Sequence, residues 1–466
     1  MKKSAFCLVL LLLAFPGWGQ TATSPKLCAE CIQKNMETLA SEAMRGRESG
    51  TEDEHKAARY IASVLSSYGI QPAGDQGGFV QRIATVHSTI NGNPKVTALP
   101  ESKMHSFTFG KDFLSVYLSR TQFSGTLKKI DLDKAPLEPE PGHVLLLTGS
   151  DLSKVRAAAF SAFANGEIAV LIPAKNKSQS YFENGASKLP KINPRLVGHH
   201  TAEIGTSFNI LEFTPEAIEI LLKVPDGTSI QFDAPVSLKR GFTWNAVGML
   251  RGTDPVLQHA AVLFSAHLDH IGVGRPANGD SIYNGADDDA SGTAAVLELA
   301  RVLGSAEKPK RTVIFALFGS EEVGGLGSTY FREHPAVPLK EIAANLEFEM
   351  IGRPDSKVAA NALWLTGWER TNLGPTLAEH GAQLVQDPHP EEDFFSRSDN
   401  YVLAKKGVVA QTISSYGLHS DYHRPSDDIE HIDFKHMNAA IESLLEPIEW
   451  LVNSDFKPQW NEGGQP

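Results

Sequence analysis

Several short stretches in the second half of the chain are apolar at almost every position, and acids or histidines follow them. Residues 260–266, 312–318 and 408–413 are examples. Strands that are apolar on both faces are typical of a sheet covered by helices on both sides. The sequence therefore predicts an α/β fold with a mixed, mainly parallel sheet, in which polar groups gather at the carboxyl ends of the strands.

Five polar clusters fit this expectation. They are residues 266–270, 284–292, 319–322, 345–352 and 421–428. Each has an ordinary explanation when it is taken alone, because acids are favoured at the start of a helix and paired glutamates often lie on a solvated surface. Their repeated position after apolar stretches indicates instead that they meet in one site.

The side chains in these clusters suit a hydrolytic metal site. They offer imidazoles and several carboxylates but no thiolate, a set that favours zinc or another first-row divalent cation. A carboxylate can bridge two such ions about 3.5 to 4 Å apart. In a pair such as Glu321-Glu322, one glutamate can bind metal while the other accepts a proton from water. The motifs H-E-x-x-H and G-x-S-x-G do not occur, so neither a one-helix zinc protease nor a serine hydrolase is indicated.

In this order, the clusters resemble the motifs of the co-catalytic zinc exopeptidases. That family includes bacterial secreted leucyl aminopeptidases, glutamate carboxypeptidase II and glutaminyl cyclases. The matching segments are His267-Leu268-Asp269, residues 285–292, Glu321-Glu322, residues 349–352 and Tyr422-His423 with Asp427. The resemblance covers roughly residues 35–72 and 240–452, and it implies the zinc exopeptidase fold.

The resemblance also implies a role for each site residue. Asp288 would bridge two Zn²⁺ ions, with His267 and Glu349 completing the shell of one ion and Glu322 and His423 that of the other. Glu321 would be the general base, and Asp269 would orient His267. Tyr422 would donate a hydrogen bond to the oxyanion of the tetrahedral intermediate. No organic cofactor is expected. Glu349 departs from the aspartate usual in the family, and its extra methylene moves the oxygens by more than about an ångström. Glu347 is the alternative ligand at that position.

The middle of the chain resembles a protease-associated domain, a lid-like insert of this family. Strand candidates at residues 143–148 and 168–173 flank a helix that begins at Leu152. The predicted division comprises a signal peptide (1–19), the N-terminal part of the catalytic domain (20–105), the insert (106–238), the metal-binding part of the catalytic domain (239–455) and a tail (456–466).

The first residues have the pattern of a secretory signal, with Lys2 and Lys3 before an apolar run at residues 6–15. The sequence thus predicts export to the periplasm or the extracellular space. No stretch is long enough to predict a membrane span, and the net charge of −12 disfavours a nucleic-acid partner. The spacing of Cys28 and Cys31 is compatible with a tight disulfide, a redox pair or two free thiols, and the sequence does not decide among them.

The leading functional hypothesis is a secreted zinc aminopeptidase that acts on peptides with a free N-terminus. The alternatives are a glutaminyl cyclase-like or carboxypeptidase activity on the same fold, or a binding module without catalysis. An N-terminal block on the substrate would separate aminopeptidase from carboxypeptidase action. Phe394, Phe395 and Tyr416 are candidates for the specificity pocket, and the alternative for each is simple packing.

Overall fold

The computed structural model describes residues 26–138, 141–162, 168–175, 192–198 and 208–466. These residues form two large sheets, a small hairpin and nine α-helices. The predicted signal peptide at residues 1–19 lies outside the described residues. Among the described helices, none combines the length and the apolar character that crossing a bilayer requires.

The larger sheet has ten strands, and most of them come from the second half of the chain. In sheet order the strands are β19 (Leu384–Gln386), β18 (Leu363–Leu365), β20 (Val409–Ser414), β17 (Ile342–Phe348), β13 (Ala261–His267), β16 (Val313–Phe318), β12 (Val236–Leu250), β2 (Val80–Ile90) and β9 (Arg195–Leu196), while β1 (Gln71–Pro72) pairs with β12. The neighbours β20, β17, β13 and β16 are parallel, and β12 runs antiparallel to β16. The carboxyl ends of the four parallel strands therefore meet at one edge.

Helices cover both faces of this sheet. The helices are α1 (Ala29–Leu39), α2 (Glu52–Ser67), α3 (Leu152–Ser161), α4 (Pro215–Lys223), α5 (Gly292–Ser305), α6 (Leu326–Glu333), α7 (Leu373–Glu379), α8 (Asn400–Ala404) and α9 (Phe434–Asn453). Phe315 of β16 packs in a core with α1, α2, α5 and α9, whereas its neighbours Ile314 and Ala316 pack on the opposite face with α6 and α8. This two-sided burial explains the continuous apolar runs, and it confirms the predicted mixed α/β class.

The second sheet has eight strands and a core of its own. In sheet order they are β4 (His105–Thr108), β3 (Lys95–Leu99), β11 (Ser229–Asp233), β6 (Gln122–Asp131), β7 (His143–Thr148), β8 (Ala169–Pro173), β10 (Asn209–Phe213) and β5 (Phe113–Leu118). Its strands begin at Lys95, before the predicted start of the insert, and the long strands β2 and β12 lead into and out of it. The boundaries 106–238 and the likeness to a protease-associated domain stay predictions.

The N-terminal helices are anchored beside the larger sheet. Cys28 and Cys31 form a disulfide at the start of α1, which is one of the three alternatives that the sequence left open. Helix α2 begins after Thr51, whose hydroxyl oxygen accepts a hydrogen bond from the main-chain N–H of Asp53. Glu54 does not complete a capping box with Thr51. Its carboxylate is buried and accepts from the main-chain N–H of Gly50 and the hydroxyl of Thr243.

Candidate metal centre

The predicted site residues lie together at the carboxyl ends of the parallel strands. His267 is the last residue of β13. Glu321 and Glu322 follow β16, and Glu349 directly follows β17. His423 lies in the loop after β20. The turn before α5 adds Asp288. The order of the strands in the sheet thus places side chains from distant parts of the sequence around one point.

These side chains form two groups that share Asp288. One group contains His267, Asp288 and Glu349, and the other contains His270, Asp288, Glu322 and His423; the donor atoms within each group lie within 4.8 Å of one another. Oδ1 of Asp288 is 3.0 Å from Nε2 of His267, while Oδ2 is 3.2 Å from Nε2 of His423. The two carboxylate oxygens therefore face different groups.

The contacts that His267 and His423 make with Asp288 are close, but they do not have the geometry of hydrogen bonds. Nε2 of each imidazole is buried and has no hydrogen-bond partner. Nδ1 of His267 is 3.2 Å from the main-chain carbonyl oxygen of Asp269, and because a carbonyl only accepts, Nδ1 carries the hydrogen. Nε2 of His267 then points to a carboxylate oxygen of Asp288. Donor atoms of a tetrahedral zinc ion lie roughly 3.3 Å apart, so the two groups fit a divalent metal ion.

Burial would raise the pKa of Asp288, but His267 and His423 hold it well below its ordinary value. Burial and the Asp288 charge also act to raise the pKa of Glu322, yet His270 and His423 lower it to about 2. Both carboxylates are therefore ionised over the whole neutral range. Anionic oxygens are the form that binds a cation.

The acids on either side of Asp288 accept hydrogen bonds from main-chain N–H groups. Asp289 accepts hydrogen bonds from the main-chain N–H groups of His267, Gly292 and Met350. Asp287 accepts from the N–H of Gly352 at 2.8 Å. The three neighbouring acids therefore do not all face a metal, because two of them tie the ends of β13 and β17 to the start of α5.

Asp427, further along the chain, holds the same turn from the other side. Its two carboxylate oxygens accept from the main-chain N–H groups of Asp287 and Asp288, at 2.9 and 3.0 Å. Such bonds fix the direction in which the Asp288 side chain leaves the backbone. The sequence reasoning quoted Asp427 only as part of a motif and gave it no role.

Asp269 connects His267 with Glu321. The carboxylate of Asp269 lies 3.8 Å from Nδ1 of His267, and the imidazole donates instead to the main-chain carbonyl of Asp269. One carboxylate oxygen accepts from the N–H of Glu321 at 3.0 Å, and the other accepts from the hydroxyl of Ser49. Burial raises the pKa of Glu321 well above its ordinary value, and the nearby Glu349 and Asp399 add to the rise.

Glu347 lies in β17 and Glu349 directly follows it, but the two side chains have different surroundings. Glu349 belongs to the group with His267 and Asp288. Oε2 of Glu347 accepts from the N–H of Asn400 at 2.7 Å and from the Thr412 hydroxyl at 3.1 Å. Glu347 is in neither group of potential ligands. The geometry thus favours Glu349 over Glu347 as a ligand.

A cavity of about 40 Å³ opens beside Glu349. Its walls include the side chains of Met350, Trp364, Phe394, Tyr416 and Tyr422. Tyr422 stacks on His423 with ring centroids 3.8 Å apart. Burial raises the pKa of Tyr422, so its hydroxyl keeps its hydrogen and remains a donor.

Phe395, the third aromatic candidate for the pocket, lies elsewhere. It is buried against Tyr401 and Trp460, in the core on the α6 and α8 face of the sheet. Phe394 and Tyr416 thus line the cavity, while Phe395 only packs.

Two buried residues near the centre were not identified as site residues from the sequence. Arg47 is 1% exposed, and its guanidinium donates to the main-chain carbonyls of Leu39, Leu268, Asn284 and Gly285. It thereby supports the turn that leads to Asp288. His270 is fully buried and contacts Glu322. The only available signal for it was its position in the first cluster, three residues after His267.

The sequence of this region matches a known family. Residues 245–447 match the model of peptidase family M28. The matched segment is less than half of the chain. It contains all five predicted metal ligands, and the match agrees with the predicted resemblance to the zinc exopeptidases.

Curated proteins similar to this chain include aminopeptidases. Aminopeptidase YwaD of Bacillus subtilis (strain 168) is 24% identical over 338 residues, which are 68% of this chain and 64% of that protein. The chain therefore spans slightly less than two thirds of the length of this curated relative.

Solved structures share the fold. The aminopeptidase from Aneurinibacillus sp. strain AM-1 has a TM-score of 0.55 at 17% identity, covering 92% of this chain and 95% of that chain. BSAP, a zinc aminopeptidase from Bacillus subtilis, has a TM-score of 0.50 at 21% identity, covering 93% and 98%.

Proposed function

We propose that the chain is a secreted zinc aminopeptidase that removes residues from the free N-termini of peptides and binds two Zn²⁺ ions. The observation that carries this proposal is the arrangement of Asp288, whose two oxygens face His267 on one side and His423 on the other. A carboxylate placed in this way suits a bridge between two ions. The M28 match and the names of the relatives support the peptidase activity.

The residues suit the roles expected from the resemblance. His267, Asp288 and Glu349 would hold one ion, and Asp288, Glu322 and His423 the other. Bound zinc would polarise the scissile carbonyl and lower the pKa of water. Glu321 would take a proton from the attacking water, which its raised pKa favours near neutral pH. The hydroxyl of Tyr422 would donate to the developing oxyanion.

Two features of the chain fit a role outside the cytoplasm. The pattern of residues 1–19 predicts export. The Cys28–Cys31 disulfide is typical of an oxidising compartment. We place the protein in the periplasm or the extracellular space. The segment before β9 would then limit access to the metal centre from one side, because residues 192–194 and His270 line the same cleft of about 450 Å³.

The proposed reaction predicts a sharp dependence on the substrate's amino group. Aminoacyl p-nitroanilides should be hydrolysed in the presence of zinc, and treatment with a chelator should remove the activity until zinc is restored. The matched substrate with an acetylated amino group should not be hydrolysed. Hydrolysis of the acetylated substrate, or of peptides only from the carboxyl end, would contradict an aminopeptidase.

The aromatic cavity beside Glu349 predicts a preference for N-terminal residues with apolar side chains of moderate size. Phe394→Ala should enlarge the cavity and raise the ratio of kcat/KM for phenylalanyl over leucyl p-nitroanilide about tenfold, the lower end of what one methylene is worth in such a pocket. Phe395→Ala is the matched control, since that ring packs away from the cavity. An equal change in both variants would exclude the cavity as the specificity pocket.

A further inference from the structure

We infer that His270 is a positioning residue that fixes which oxygen of Glu322 faces the metal. This inference rests on the proposed metal centre. His270 is fully buried, and its Nδ1 lies 2.7 Å from Oε1 of Glu322. An ionised carboxylate only accepts, so Nδ1 carries the hydrogen and donates it to Oε1. The second oxygen, Oε2, lies 3.1 Å from Nε2 of His423.

The distances distinguish His270 from a metal ligand. Donor atoms on one tetrahedral zinc ion lie roughly 3.3 Å apart. Nε2 of His423 is 3.2 and 3.1 Å from the oxygens of Asp288 and Glu322, and it makes no hydrogen bond. Nδ1 of His270 has a true hydrogen bond at 2.7 Å and lies 3.9 Å from the nearer Asp288 oxygen. His270 therefore acts on Glu322 and not on the ion.

The hydrogen bond has a consequence for coordination. A free glutamate can bind an ion through both oxygens, which would occupy two positions of its shell. Since Oε1 is engaged by His270, Glu322 offers only Oε2, and a catalytic zinc site needs a position that the protein does not fill. His270 thus keeps that position open for the reactants.

The fold fixes His270 in this orientation. Its main-chain N–H donates to the carbonyl of Arg47 at 3.2 Å. Its ring lies against Gly285, where a Cβ atom would come within 2.6 Å of Cγ and Cδ2. Gly285 also has a φ of 60° and begins the turn that carries Asp288. The same glycine therefore makes room for the imidazole and directs the chain to the shared ligand.

Two variants that differ in the position of one donor test this inference. His270→Asn places an amide N–H near the position of Nδ1, whereas His270→Gln fills the space but places its N–H near the position of Nε2. Zinc dissociation constants would be measured by competition with a chelator, and ions per chain by elemental analysis. We expect the Gln variant to bind one ion about 10- to 100-fold more weakly and the other normally. The Asn variant should bind both ions nearly as the natural protein does.

His389→Ala is the control for the loss of a buried imidazole. Nε2 of His389 is 2.8 Å from Asp355, and neither residue belongs to the two ligand groups. This variant should lower the melting temperature of the metal-free chain without changing either dissociation constant. Equal zinc binding in the Gln variant and the natural protein would overturn the inference, as would complete loss of an ion in both the Asn and Gln variants, which would mark His270 as a ligand. A natural chain that binds no zinc would instead refute the metal centre itself.

Discussion

Glu321→Gln is expected to abolish most peptide hydrolysis while both metal groups stay intact. Glutamine has nearly the same shape but cannot accept a proton, so only the proposed base is lost. General base catalysis contributes roughly 100- to 10,000-fold, and kcat should fall by that factor. The backbone at this position is held by the Asp269 carboxylate through the Glu321 N–H, which the substitution leaves in place. Turnover of leucyl p-nitroanilide and zinc content would be measured together.

Glu347→Gln is the matched control for this prediction. Burial raises the pKa of Glu347 as it does that of Glu321. The Glu347 oxygen that accepts from Asn400 and Thr412 can be replaced by the amide oxygen of glutamine. The control should keep its zinc and most of its turnover. Normal turnover in Glu321→Gln would contradict the proposed base, and loss of zinc from Glu347→Gln would identify Glu347 as a ligand.

The apolar strands made the fold of the larger sheet predictable. Residues 312–318 were predicted as a strand buried on both sides, and β16 is Val313–Phe318 with cores on both faces. The strand at residues 143–148 was located as well, because it is equally apolar. Strands β3 and β5 have half-exposed positions and pair with partners far along the chain. No local pattern identifies such strands, so the extent of the second sheet was not predicted.

The structure separates residues that the sequence leaves equivalent. Asp287, Asp288 and Asp289 are three identical side chains in a row. Only the fold shows that Asp288 alone faces both His267 and His423. Asp289 accepts a hydrogen bond from the main-chain N–H of His267 at the end of β13, and Asp287 accepts one from Gly352 after β17. These contacts depend on tertiary packing. His270 was overlooked for a related reason. A lone histidine beside a ligand motif is more often packed than functional, and its partner Glu322 lies 52 residues away.

Asp288→Ala is expected to weaken the binding of both ions, whereas Glu349→Ala should weaken only one. The reason is that Asp288 is the only residue common to the two ligand groups of the described chain. Removal of a residue that merely supports a ligand already costs 10- to 100-fold in metal affinity. Loss of the bridge should therefore exceed about 100-fold for each ion. Zinc per chain would be counted after dialysis against a graded series of chelator concentrations.

The pattern of ion loss in these two variants decides between a shared and a divided centre. In a shared centre, both ions leave Asp288→Ala at the same low chelator concentration, because each has lost a charged oxygen. The Glu349→Ala chain should then retain the ion near Glu322 and His423. If Asp288→Ala released one ion and kept the other at full affinity, Asp288 would serve a single site. The two-ion mechanism would then lack its bridge, and Glu349, the departure from the family pattern, would be a ligand of an independent ion.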